Sequence, residues 1–244
     1  MISIEPNLVD GRGIGTIIFT RATTVDLPSM PMGRRKYFRM SAQRYLALAG
    51  AVVTWFAVIS QFVTTYISVE ANPLVASIGL FNYFTILTNI LAAITFSVLA
   101  VGVHNRIFTH AGNQTAILVY ILVVGIVYSA LLRSTWNPQG FQRVVDELLH
   151  TVVPLFFLMY WFAFTPRANV KYSQIPGWLV YPATYLTYSL VRGAATGRYP
   201  YPFLNATQLG WGNVLLVCLL LTLFLTGLAL LFVFISRRFI KVRE

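Results

Sequence analysis

Cysteine is almost absent: Cys218 stands alone in an apolar run, so no intramolecular disulfide and no cysteine zinc site can form. Cofactors that need paired thiolates are excluded with them. Acidic residues are also scarce, with 7 Asp and Glu against 18 Lys and Arg, and only Glu70, Asp146 and Glu147 lie between Arg44 and Ser236. Familiar catalytic signatures are missing: there is no G-x-S-x-G elbow, no H-E-x-x-H pair and no Walker loop. The three histidines, His104, His110 and His150, do not form the paired intramembrane ligands a haem carrier needs. No internal repeat or low-complexity tract is evident.

Apolar sequence is what the chain has in quantity. At 57% hydrophobic and 10% charged residues it is far more apolar than a soluble domain, and its apolar runs are long enough to span a bilayer. The expected class is an all-α polytopic membrane protein with six transmembrane helices in one bundle. The net charge of +11 would suit nucleic acid in a soluble protein. Here the basic residues sit beside the apolar runs and do not form one face, so the expected partner is the lipid bilayer, with no nucleic acid.

Residues 1–43 are polar, lack the layout of a cleaved signal peptide and close on the basic run Arg34 to Arg39. A disordered cytoplasmic tail is expected there, followed by a transmembrane domain over 44–236 and a second basic tail over 237–244. Spans are expected at 44–68, 82–103, 115–134, 147–165, 175–195 and 212–236. Basic residues cluster at one set of ends: Arg34, Arg35, Lys36, Arg39 and Arg44, then Arg106, Arg167 and Lys171, then Arg237, Arg238, Lys241 and Arg243. The opposite loops have only Arg133, Arg143, Arg192 and Arg198. The positive-inside rule therefore puts both termini in the cytoplasm. It also separates His104 and His110 from His150, so no metal site is expected.

With that orientation, three polar clusters fall near the outer interface. The first is the outer end of segment 2, where Asn82, Thr85 and Asn89 follow at i, i+3 and i+7 on one face. Its plainer explanation is hydrogen-bonding glue between helices, and segment 1 has a similar stripe in Gln61, Thr64, Thr65 and Ser68. The second is Asp146 to Pro154. Ionisable groups in an apolar helix are costly and mark functional sites. Asp146 lies four residues before His150, so its carboxylate can hold one ring nitrogen and leave the other free as a base. Pro154 has no N–H, so the carbonyl of His150 loses its usual donor. The plainer explanation makes Asp146 and Glu147 N-terminal helix residues, with His150 merely interfacial. The third is the stripe Tyr181, Tyr185, Tyr188 and Arg192 on segment 5, where Pro182 also frees the carbonyl of Trp178. An aromatic belt ending in a snorkelling arginine, or a site for a lipid with an anionic head, fits it equally.

The run Phe81 to Asn89, the run Leu149-His150-Thr151-Val152-Val153-Pro154, and the residues from Tyr181-Pro182 through Arg192-Gly193 to Tyr199-Pro200-Tyr201-Pro202-Phe203 carry a resemblance. Over about residues 44–236 the chain resembles the androgen-induced-protein family of integral membrane proteins and its bacterial relatives. Animal members are six-helix hydrolases that use a threonine and a histidine to cleave fatty acid esters of hydroxy fatty acids. The resemblance implies Thr85 as nucleophile and His150 as base, with Thr88 one turn away as the competing hydroxyl.

A threonine hydroxyl is a poor nucleophile until a neighbouring base takes its proton, which is the role open to His150. Asp146 would orient the ring. Asn89, Asn82 or a tyrosine hydroxyl would stabilise the oxyanion. Arg192 or Arg133, with Tyr188 nearby, would hold the free carboxylate of a fatty acid. The expected activity is therefore hydrolysis of a membrane lipid or fatty-acid ester without a cofactor. The alternative is a transporter or lipid-binding protein that uses the same cluster as a substrate site.

Overall fold

The structure is a computed structural model that describes residues 32–70 and 72–238, with side chains from Met40 onward. All regular structure among these residues is helical. The stretches Met40–Ser68, Phe84–Val101, Ala111–Leu132, Phe141–Phe164 and Trp211–Arg238 are long and apolar enough to cross a membrane. The chain is thus an all-α polytopic membrane protein. The segment expected over 175–195 also forms a helix, but it is not among those five. Its tyrosines, together with Thr184, Thr187, Ser189 and Arg192, dilute the apolar character of a helix that is long enough to span.

Helix α1 (Met32–Ser68) starts well before the expected entry at 44, because no proline interrupts it and its basic run is made of good helix formers. The expected tail is therefore helical from Met32. Residues 1–31 of that tail, and the C-terminal tail beyond Arg238, lie outside the described residues. A short helix α2 (Pro73–Leu80) occupies a stretch expected to be loop; Asn72 caps it by accepting from Leu74 and Val75 N–H at 3.1 Å each, with Pro73 in the first turn. Helix α3 (Phe84–Val101) ends at Gly102, whose φ of 76° is the left-handed turn that glycine takes without strain.

Helix α4 (Ala111–Val127) continues into a π-helical turn at Tyr128–Leu132. The fourth span is built in three pieces: α5 (Phe141–Glu147), a π-helical turn at Leu148–Val152, and α6 (Val153–Phe164). It begins at Phe141, ahead of the expected 147. Asp146 and Glu147 therefore lie beyond the first helical turn, and the N-terminal explanation of these acids does not hold. Helices α7 (Ile175–Thr196), α8 (Ala206–Leu209) and α9 (Trp211–Arg238) complete the chain.

The main core lies between α1, α3, α4, α6, α7 and α9, around the fully buried Phe96, Leu118, Phe157 and Trp161. Polar pairs tie it together: Trp161 Nε1 donates to Thr115 Oγ1 at 2.9 Å and Thr165 Oγ1 to Gln114 Oε1 at 2.8 Å. Gly50 lets α1 approach closely, since a Cβ there would stand 2.9 Å from the rings of Phe96 and Phe156. On segment 1, Gln61 accepts from Gln142 Nε2 at 2.8 Å, the interhelical glue anticipated for that stripe.

Candidate functional site

Pro154 shapes the site through what its ring nitrogen cannot do. In the turn before it, the Val153 N–H reaches back to the Leu148 carbonyl, five residues away. That register would pair the Leu149 carbonyl with the nitrogen of Pro154, which has no hydrogen. The Leu149 carbonyl is instead met by Asn89 Nδ2 of α3 at 3.3 Å. The carbonyl that the sequence marks as orphaned, that of His150, packs against Gly125 of α4, where a Cβ would stand 2.7 Å from the oxygen. The π-turn thus seats His150 between α3 and α4.

His150 Nδ1 lies 2.9 Å from the Asp146 carbonyl oxygen and 3.2 Å from Asp146 Oδ1. Its Nε2 lies 3.4 Å from Thr85 Oγ1. With the proton on Nδ1, the Nε2 lone pair faces the Thr85 hydroxyl, the arrangement a base needs. The other Asp146 oxygen, Oδ2, accepts from the Tyr128 hydroxyl. The Tyr128 ring stacks on His150 with centroids 3.8 Å apart and planes 15° from parallel, which fixes the rotation of the imidazole. Asp146 and its partner network are nearly enclosed, the His150 and Asp146 side chains being 12% and 7% exposed.

Thr85 sits in the first turn of α3, where backbone N–H groups lack intrahelical acceptors. Its N–H donates to the Tyr201 hydroxyl at 3.4 Å. Thr85, Tyr128 and Tyr201 line a cavity of about 120 Å³ that continues along α7 and α9 past Leu179, Pro182, Leu186 and Leu221. Among the described residues no charged side chain lines it. Burial pushes the Tyr201 phenol up, so it stays protonated.

Other expected site residues stand elsewhere. Asn89 is not a free oxyanion donor: it is wholly buried, and its amide nitrogen donates to Thr85 O at 2.8 Å as well as to Leu149 O. It ties the threonine's helix to the histidine's turn. Asn82 precedes α3; its amide donates to Ile78 O at 2.6 Å, and its side-chain oxygen accepts from Tyr188 at 2.9 Å. Thr88 is fully buried and paired with the Tyr181 hydroxyl at 3.1 Å. Tyr181 stacks on Phe84 with centroids 5.1 Å apart and Tyr185 meets the same ring tilted at 5.0 Å, so most of the tyrosine stripe packs α7 onto α3. Arg133 is paired with Glu147 at 2.8 Å and donates to Thr151 at 3.1 Å, and Arg192 donates to the Arg198 carbonyl at 3.1 Å. Neither arginine lines the cavity.

Tyr128 and Tyr201 were not anticipated. Tyr128 is one tyrosine in an apolar run, and the Tyr-Pro-Tyr-Pro stretch suggests only a stiff turn. The usable signal was the resemblance that includes Tyr201. Comparison with family models, curated proteins and solved structures finds no match.

Proposed function

We propose that this chain is an intramembrane lipid-ester hydrolase with Thr85 as nucleophile and His150 as base. One observation supports it above the others: Thr85 lines an apolar cavity, and its Oγ1 stands 3.4 Å from His150 Nε2. That separation slightly exceeds the ~2.6–3.2 Å of a working nucleophile–base pair, the slack usual before substrate draws such a pair together.

In the first step Thr85 Oγ1 attacks the ester carbonyl carbon while its proton passes to His150 Nε2, and the carbonyl electrons move onto oxygen. Collapse of that tetrahedral species expels the alcohol, which takes the proton from Nε2 and leaves an acyl-Thr85 ester. Water then attacks the acyl carbon with the same histidine as base, releasing the fatty acid and restoring Thr85. Asp146 holds Nδ1 and stabilises the transient imidazolium, and Tyr128 braces both groups. The apolar walls along α7 and α9 suit a fatty-acyl chain. Fatty acid esters of hydroxy fatty acids, the substrates of the family the chain resembles, belong to this class. The clustering of basic residues at one set of helix ends supports cytoplasmic termini and a site near the outer leaflet, and the resemblance to bacterial relatives supports a bacterial cytoplasmic membrane.

The test is covalent labelling of the detergent-solubilised protein with a fluorophosphonate, alongside hydrolysis of a fatty-acyl ester. Wild type and Thr88→Ala should label and turn over. Thr85→Ala and His150→Ala should each lose nearly all turnover, and their double variant should be no worse than the worse single, because the pair acts as a unit. If Thr88→Ala is the inactive variant, the nucleophile is misassigned. A wild type that neither labels nor hydrolyses any lipid ester points to the transporter or lipid-binding alternative.

A further inference from the structure

We infer that the Tyr201 hydroxyl is the catalytic donor that receives the oxyanion formed when Thr85 attacks its ester. This rests on the hydrolase reading and supplies the group that reading lacks, a hydrogen-bond donor for the developing charge. Such donors act only if they are held in place and not already spent on another acceptor.

The candidates narrow by what each hydroxyl or amide already does. Among the cavity-lining hydroxyls, Tyr128 donates to Asp146, Tyr185 to the Asn82 carbonyl at 2.8 Å, and Thr222 to the Cys218 carbonyl at 2.8 Å. The Asn89 amide is committed to two carbonyls. Tyr201 differs: its oxygen accepts from the Thr85 N–H at 3.4 Å, and the groups beside its hydroxyl are the Thr85 and Tyr185 hydroxyls and the Phe84 backbone, so it is not bound to a carboxylate as Tyr128 is. Accepting a hydrogen bond polarises the phenol and strengthens it as a donor. The N-terminus of α3, where Thr85 sits, adds positive potential where the negative charge would form.

The loop is also rigid enough for the task. Pro200 and Pro202 flank Tyr201 and fix their own φ angles, and Leu204 is fully buried. The Tyr201 ring stacks on Phe203 with centroids 5.0 Å apart at 7°, and meets Tyr83 edge-on at 5.7 Å. These contacts hold the ring without using its hydroxyl, so Tyr201→Phe removes the donor and keeps the packing.

In the full-length detergent-solubilised protein, Tyr201→Phe should lower kcat for a fatty-acyl ester by on the order of 10²-fold or more, with KM little changed. Binding of palmitoyl trifluoromethyl ketone, which forms a tetrahedral oxyanion on the nucleophile, should weaken by about the factor lost in kcat/KM. Tyr201→His, which restores a ring donor, should recover part of the loss, and Tyr83→Phe should match wild type. Full kcat in Tyr201→Phe, unchanged ketone affinity, or equal losses in Tyr201→Phe and Tyr201→His would overturn the assignment. The hydrolase reading would then still stand on Thr85 and His150. An inert wild type would instead defeat that reading, and this assignment with it.

Discussion

Pro154 and Pro182 each remove one backbone donor from a long helix, and the molecule answers in different ways. At Pro182 the helix stays α-helical from Ile175 to Thr196, and the Trp178 carbonyl is met by the Tyr120 hydroxyl at 2.5 Å. The break is met by a single hydroxyl donor, and the helix keeps its register. At Pro154 the preceding turn widens, one carbonyl takes an amide from Asn89, and the next packs on Gly125. That repair rotates His150 towards Thr85. A proline is thus structural where a partner supplies the missing donor and the helix keeps its register. It shapes a site where the register itself moves.

Gly125→Ala should break this contrast most sharply. The new Cβ would meet the His150 carbonyl at 2.7 Å, and because that atom is backbone, the turn carrying the base must move. A misplacement near 1 Å can cost about 10²-fold in rate, and a loss of that order is expected in kcat for ester hydrolysis. Unchanged turnover would show that the close approach of α4 does not position the base.

Tyr120→Phe tests the other proline. It leaves the buried Trp178 carbonyl without a donor, an expected cost of about 1–3 kcal/mol seen as a lower melting temperature. Turnover per folded molecule should match wild type. Reduced kcat at unchanged stability would mean that the two prolines are coupled through α7.

Arg192→Gln should have the smallest effect and marks where the α7 stripe leaves the site. Its guanidinium holds the Arg198 carbonyl, so hydrolysis of free-acid substrates and of their methyl esters should fall equally, by at most about fivefold. A selective loss on free acids would return Arg192 to the role of carboxylate clamp.

Much of this was legible in the residues alone because it depends on near neighbours in the chain. Long apolar runs required membrane helices, since a bilayer leaves no other way to satisfy the backbone. The i, i+4 spacing of Asp146 and His150 predicted the contact of ring and carboxylate, and Pro182 predicted that the Trp178 carbonyl loses its donor, whereas the π-turn before Pro154 shifted the loss from His150 to Leu149. Thr85 was picked out through the resemblance, not by periodicity, which marks Asn82 and Asn89 equally. Tertiary structure decided the rest. The donor for Trp178 comes from Tyr120, the brace on Asp146 from Tyr128, and the hydroxyl over Thr85 from Tyr201, all from distant parts of the chain. Tyrosine in an apolar run reads the same whether it lines a belt, fills a core or aims its hydroxyl at a carboxylate. Only the packing of one helix on another fixes which polar atom stands opposite it.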